Sequence, residues 1–239
     1  MPGYDSGVTR TLVLWDIDYT LLYVGGLSGE VFAEAFRNAT GMPMRQLADL
    51  AGKTDRAIIT QTLELHGEPA TSVVVAAFAD ALAAGFRARQ DQIRVHGELL
   101  PGAAEALRAI AERPDAVQSV LTGNMRPIAE MKLAAFGLRQ YVDLGAGAYG
   151  MDGTSRSALV QVARVRAAER HGEPFSGASA VLIGDTPHDV TAALEAGARI
   201  IAVTTGSSDE AALRAAGATM VLAGLADTAE VVRVILGGS

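Results

Sequence analysis

Asp16 and Asp18 stand two residues apart in "LVLWDIDYTLL", residues 12–22, where an apolar run turns polar. On an extended chain, side chains two residues apart leave the same side of the backbone. Like charges that close repel unless a cation or a shared proton lies between them. Asp also favours turns at strand ends, so the pair alone supports either a turn or a site. Two more polar clusters follow apolar runs: "LTGN", with Thr122, Gly123 and Asn124, and "GDTPHD", with Asp185 and Asp189. If all three follow strands of one parallel sheet, they meet at its carboxyl edge, where doubly wound folds bind ligands. Asp16, Asp18 and Asp185 then make a hard, oxygen-rich pocket suited to Mg²⁺, which binds through one or two carboxylates and several waters. Thr122 and the backbone amides after it, at a turn into a helix, suit phosphate oxygens.

The elements that must position these residues are legible as short apolar runs at 11–15, 117–121, 180–184, 199–203 and 218–222. Most are unbroken rather than alternating, as in strands buried on both faces. Helical stretches at 103–112, 128–136, 157–170 and 190–196 have the length that parallel crossovers need. The expected fold is α/β, a doubly wound, Rossmann-like parallel sheet. About a hundred residues separate the first two strands, far more than one crossover takes. Within that gap "GEVFAEAFRNATG", "KTDRAIITQTLELHG" and "ATSVVVAAFADALAAGFRARQ" carry apolar residues at helical spacing, with Gly41 and Gly67 as stops. No strand-like run interrupts them. The expectation is an all-helical cap over residues 25–95, set into a core of residues 1–24 and 96–239. Hinges near residues 23–28 and 94–102 are flanked by Gly25, Gly26, Gly97 and Gly102.

Composition narrows the function classes. A chain of 239 residues with 49% apolar content can bury a full core and carry an insert. A net charge of -7 argues against a nucleic-acid partner or an anionic membrane surface. "MPGYDSGVTR" lacks the apolar core of a signal peptide, and the longest apolar stretch, 73–86, is broken by Asp80 and too short to span a bilayer. A cytoplasmic protein is expected, as a monomer or homodimer. Having no cysteine, the chain has no thiolate nucleophile, disulfide or thiolate metal site. His66, His96, His171 and His188 show no zinc-site spacing.

Taken together, the motifs resemble those of haloacid dehalogenase superfamily hydrolases, in the phosphoglycolate phosphatase-like group with a helical cap after the first motif. D-x-D-x-T is met by Asp16, Asp18 and Thr20, the second-motif threonine by Thr122, and G-D-x-x-x-D by Gly184, Asp185 and Asp189. Three motifs in order, each after a β-run, are far more specific than any one. The resemblance implies that Asp16 attacks phosphorus to form an aspartyl-phosphate. It makes Asp18 the acid for the leaving oxygen and then the base for water. It also implies Mg²⁺ held by Asp16, Asp185 and the Asp18 backbone carbonyl, with Asp189 orienting the metal's waters. For Asp189 the alternative is a charge at a helix N-terminus.

Two departures stand out. Relatives usually carry a lysine, often before proline, ahead of the helix leading to the last motif, and this chain has "DGTSRSALV" there. Arg156, read as lying in the loop before that helix, is the expected phosphate-stabilising cation. Lys132 in "EMKLAAFGL" is the rival, although a helix-face lysine is more often solvated. Tyr19 stands where relatives often have glycine. In the cap, "GKTDRAI" resembles the segment turned toward the active site, so Lys53 is expected to contact a small phosphorylated metabolite while Thr54 or Asp55 caps the next helix. The implied activity is a Mg²⁺-dependent phosphatase, with a sugar-phosphate mutase or a phosphonate-cleaving relative as the alternative.

Overall fold

Residues 10–237 are described by the structure, a computed structural model. Residues 1–9, where the leader was sought, lie outside them, as do Gly238 and Ser239. In chain order, β1 (Thr11–Trp15) and β2 (Leu22–Val24) precede α1 (Leu27–Thr40), α2 (Asp55–Leu65), α3 (Ser72–Ala88) and α4 (Gln90–His96). The chain continues through β3 (Gly97–Leu99), α5 (Ala103–Ala111), β4 (Ala116–Val120), α6 (Arg126–Ala135) and α7 (Arg156–His171). It ends with β5 (Ala180–Gly184), α8 (Pro187–Glu195), β6 (Arg199–Val203), α9 (Glu210–Ala215), β7 (Met220–Leu222) and α10 (Thr228–Ile235).

The five expected apolar runs form one parallel sheet in the order β4-β1-β5-β6-β7. The chain steps from β1 to β4 on one side, then crosses to β5 on the other, so the winding reverses at β1. Side-chain alternation sends Val13, Trp15, Val120, Val181, Ile183 and Ile201 to one face, shared with α5, α6 and α10. Leu12, Leu14, Val117, Leu182 and Ile200 go to the other, under α7, α8 and α9. Burial on both faces explains why the runs read as unbroken apolar sequence.

The long gap between β1 and β4 is filled by α1 to α4. Phe78 of α3 meets Phe32 and Phe36 of α1 edge to face, at centroid distances of 6.0 and 5.8 Å, a favoured geometry for aromatic pairs. Two features differ from the sequence reading. The crossings read as Gly-flanked hinges contain β2 and β3, an antiparallel pair with Leu22 opposite Leu99 and Val24 opposite Gly97. Each is three residues long and its partner is remote in the chain, so no local period marks it. The helix read through 71–90 stops at Arg89, whose φ of -119° and ψ of 21° leave the helical basin, and α4 follows as a separate element.

One polar side chain ties the sheet to its covering layer. Buried Gln118 of β4 accepts from Trp15 Nε1 at 3.0 Å and donates to the carbonyls of Leu107 and Tyr141, each at 2.7 Å. Replacing it by leucine strands the buried indole N–H, at about 1–3 kcal/mol for a buried group left unpaired, and takes a donor from the Leu107 and Tyr141 carbonyls. We expect Gln118→Leu to lower the urea midpoint markedly with little change in m, as followed by circular dichroism.

Candidate active site

Strand β1 delivers Asp16 to the carboxyl edge. Its N–H donates to Ile183 O at 2.9 Å, which extends the β1/β5 pairing one residue past Trp15. The chain then turns tightly: the Tyr19 N–H donates to Leu22 O at 2.8 Å, and Tyr19 takes a φ of 58°. That left-handed basin costs a non-glycine residue about 1–2 kcal/mol. Thr20, one residue on, is buried and donates its hydroxyl to Asp185 Oδ1 at 3.3 Å. Because β5 pairs beside β1, Asp185 arrives next to Asp16.

A buried acidic cluster results. One carboxylate oxygen from each of Asp16, Asp185 and Asp189 lies within 4.8 Å of the others, and all three residues are buried. Burial pushes Asp16 up to about 7, and the neighbouring Asp189 and Asp18 add to that, against the pull of Arg156. Asp185 is pushed up to about 8, by burial and then by Asp16 and Asp189. Arg156 is the counter-charge. Its Nε donates to Asp189 Oδ1 at 2.7 Å, and Nη2 lies 2.6 Å from Asp16 Oδ2 outside hydrogen-bonding angles, leaving a buried donor unsatisfied. Burial opposes its charge, but the carboxylates around it prevail and raise its pKa. Arg156 is not a loop residue as the sequence suggested. It is the first residue of α7, after Ser155 at the N-cap.

Asp18 has separate partners. Lys132 Nζ sits 2.7 and 2.8 Å from its two oxygens and 2.8 Å from Asn124 Oδ1, while Asn124 Nδ2 donates to Asp18 Oδ2 at 2.5 Å. The reading of Lys132 as a solvated helix-face lysine is overturned: it is 4% exposed. The reason is rotational, since Ile128, Ala129 and Leu133 put the same side of α6 into the core. Thr122 Oγ1 accepts from both the backbone N–H and Nδ2 of Asn124, at 3.3 and 3.0 Å, so its own hydroxyl hydrogen is available.

Asp16, Asp18, Lys53, Thr122, Gly123, Asn124, Arg156 and Asp185 all line a single cavity of about 570 Å³. Asp189 sits at the base of the cluster and is fully buried. It also completes a capping box with Thr186, accepting the Thr186 N–H at 3.1 Å and donating its own N–H to Thr186 Oγ1 at 3.2 Å. Both readings of Asp189, cluster member and helix-terminal charge, therefore describe the same side chain. Lys53 Nζ donates to Gln61 Oε1 at 3.0 Å and lies 3.9 Å from Asp49. Thr54 caps α2, accepting from the Ala57 N–H at 3.2 Å.

Asp55 has a role the sequence did not reveal. Its N–H donates to Gly123 O and its carboxylate accepts from the Met125 N–H, both at 2.7 Å, which stitches the start of α2 to the loop after β4. Burial pushes its carboxyl up to about 6, partly offset by the Met125 amide and Lys132. This seam has no room for side chains: a Cβ on Gly123 would lie 2.1 Å from Lys53 O, and one on Gly150 would lie 1.8 Å from Gly123 O. Nor did the sequence mark the loop after β6, where a Cβ on Gly206 would meet Asp185 Oδ2 at 1.9 Å.

The cluster fits a hard divalent cation: its donors are all oxygen, they converge, and their charge is held apart from solvent with one arginine as balance. Asp185 titrates near 8 in the fold against 3.8 for a free aspartate. The folded state therefore holds an extra proton between those values, and that contribution to stability is lost as pH rises from 3.8 through about 8. In chelator at pH 8 we expect Asp185→Asn to melt about 3 °C or more above the unsubstituted protein. Millimolar Mg²⁺ should raise the melting temperature of the latter only. A variant that melts lower in chelator, or gains equally from Mg²⁺, contradicts the cluster's electrostatics.

Similarity to known proteins agrees with this geometry. No curated protein matches the sequence. Among solved structures, one described as a predicted phosphatase from Clostridium acetobutylicum aligns over 95% of this chain and 99% of its own, with a TM-score of 0.64 and 20% identity. A hydrolase from Pseudomonas syringae aligns over 93% and 97%, with a TM-score of 0.62 and 21% identity. A candidate beta-phosphoglucomutase from Bacteroides vulgatus aligns over 97% and 92%, with a TM-score of 0.62 and 19% identity. At such identities the likeness is one of fold. The model of the haloacid dehalogenase-like hydrolases matches residues 13–194, and the chain belongs to that family.

Proposed function

We propose that this hydrolase cleaves a small phosphate monoester in a Mg²⁺-dependent reaction through an aspartyl-phosphate on Asp16. The observation that carries the reading is the buried Arg156 Nη2, ion-paired with Asp16 at 2.6 Å but without an aligned acceptor, together with the free hydroxyl hydrogen of Thr122 in the same cavity. Both can donate to an anion that enters beside Asp16, a carboxylate that can act as nucleophile. Asp16, Asp185 and the backbone carbonyl of Asp18 would hold the metal, with Asp189 orienting the groups around it. When bound, Mg²⁺ would neutralise charge between these carboxylates and an incoming phosphate dianion.

Asp16 attacks phosphorus and the bond to the leaving oxygen breaks; Asp18 gives that oxygen a proton. In the second half Asp18 takes a proton from the water that attacks the acyl-phosphate, and inorganic phosphate leaves with Asp16 restored. Lys132 and Asn124 fix the orientation of Asp18. Residues 25–95 serve as a cap over a core of residues 10–24 and 96–237, with Lys53, Thr54 and Asp55 at the seam. The cavity volume suits a small phosphorylated metabolite, and with no described helix long and apolar enough to cross a membrane, we place the reaction in the cytoplasm.

The test is phosphate release from alkyl and aryl esters. Asp16→Asn should reduce turnover to background, and chelator should do the same to the unsubstituted protein. Asp18→Asn should cut turnover of alkyl phosphates by about 10² or more, the usual worth of a general acid, and that of activated aryl phosphates less. Full activity in Asp16→Asn, or an isomerised sugar phosphate among the products, would overturn the assignment.

A further inference from the structure

Tyr19 follows the two site aspartates directly and holds a backbone conformation that glycine adopts without strain: φ is 58°, and no other described non-glycine residue has a positive φ. Strain of this kind persists where the surroundings enforce it, and it points to a role for the side chain. The ring is 43% exposed and borders the catalytic cavity. It lies on the ring of Tyr23, with centroids 4.9 Å apart and planes tilted by 37°. Two features hold that pair ready. Thr205 Oγ1 donates to the Tyr19 carbonyl, and Gly25 clears space for Tyr23, since a Cβ there would come within 2.5 Å of the Tyr23 hydroxyl.

The rest of the lining shows what such a surface would meet. Leu50, 39% exposed, adds apolar area from the segment before α2. Of the lining cations, Lys132 and Arg156 are paired with Asp18 and with Asp16 and Asp189, beside the atoms that would hold the transferring phosphate, and Lys53 donates to Gln61 and lies 3.9 Å from Asp49. A carboxylate or second phosphate on the leaving group would have Lys53 alone to turn to, and would have to draw it from Gln61 and Asp49. A flat apolar body would find two rings and a leucine.

We infer that the Tyr19–Tyr23 pair is a stacking platform for the leaving group, and that the substrate is a phosphate monoester whose alcohol carries an aromatic or similarly flat apolar body. The inference rests on the phosphatase reading for the ester bond, but the binding it asserts can be measured without turnover. Titration calorimetry with benzylphosphonate and propylphosphonate in Mg²⁺ isolates the ring, because neither has an ester to hydrolyse. The protein should bind the benzyl compound about two- to tenfold more tightly, the range for an aromatic contact. Tyr19→Gly, which suits the backbone and should melt no lower, should erase most of that preference. Tyr19→Asn, which tolerates the same φ, should do the same. Equal affinity for the two phosphonates, or a preference that survives both substitutions, would overturn the platform. In turnover, benzyl phosphate should exceed propyl phosphate in kcat/KM by a similar factor, and a preference for phosphoglycolate or a sugar phosphate would also count against it. Failure to hydrolyse any ester while the Tyr19-dependent preference for benzylphosphonate persists would sink the phosphatase reading and leave the platform standing.

Discussion

The structure is organised around the confinement of three carboxylates, Asp16, Asp185 and Asp189, in a buried space less than 5 Å across. Each like charge brought that close raises the free energy of the others, and burial removes the water that would screen them. Arg156 offsets part of the repulsion, but Asp16 and Asp185 remain well above their ordinary range. Such an arrangement survives only on a support that does not yield. Here that is a sheet buried on both faces, with Asp16 locked into the register of β5 by its own N–H and Asp189 fixed by the capping box of α8.

Two aspartates two residues apart have different counter-ions. Asp16 faces Arg156, whose charge is permanent and whose fork also serves Asp189. Asp18 faces Lys132, held in turn by Asn124, which hydrogen-bonds Thr122. The first pair is buried, while Asp18 borders the cavity with a side chain 34% exposed. Separate environments for two neighbouring carboxyls are the usual physical route to separate acid–base roles.

The helices between β2 and β3 join this site through main-chain and side-chain bonds, and their apolar faces share one hydrophobic cluster with the sheet. Asp55 N–H to Gly123 O and Arg56 N–H to Gly150 O bring the start of α2 onto the loop after β4 and the loop before α7. Glycine at 123 and 150 is required by that approach, not by an unusual φ.

The sequence alone determined the parallel sheet, the helices inserted after its first strand and the polar clusters at its carboxyl edge, because each rests on a local signal. Unbroken apolar runs of about five residues mark strands covered on both faces, and polar clusters after them mark the carboxyl edge. The reading failed wherever the deciding contact was remote. The β2/β3 ribbon joins residues at 22–24 to residues at 97–99, with no period long enough to read. Lys132 looks like any helix lysine until α6 is rotated into place beside Asp18, and Asp55 looks like a cap until α2 meets Met125. The strain at Tyr19 needed a backbone angle, since the sequence shows only a tyrosine where glycine is usual. Secondary structure follows from neighbours in the chain, whereas the charge balance of the site depends on which side chains share a space of a few ångströms, and only the tertiary fold decides that.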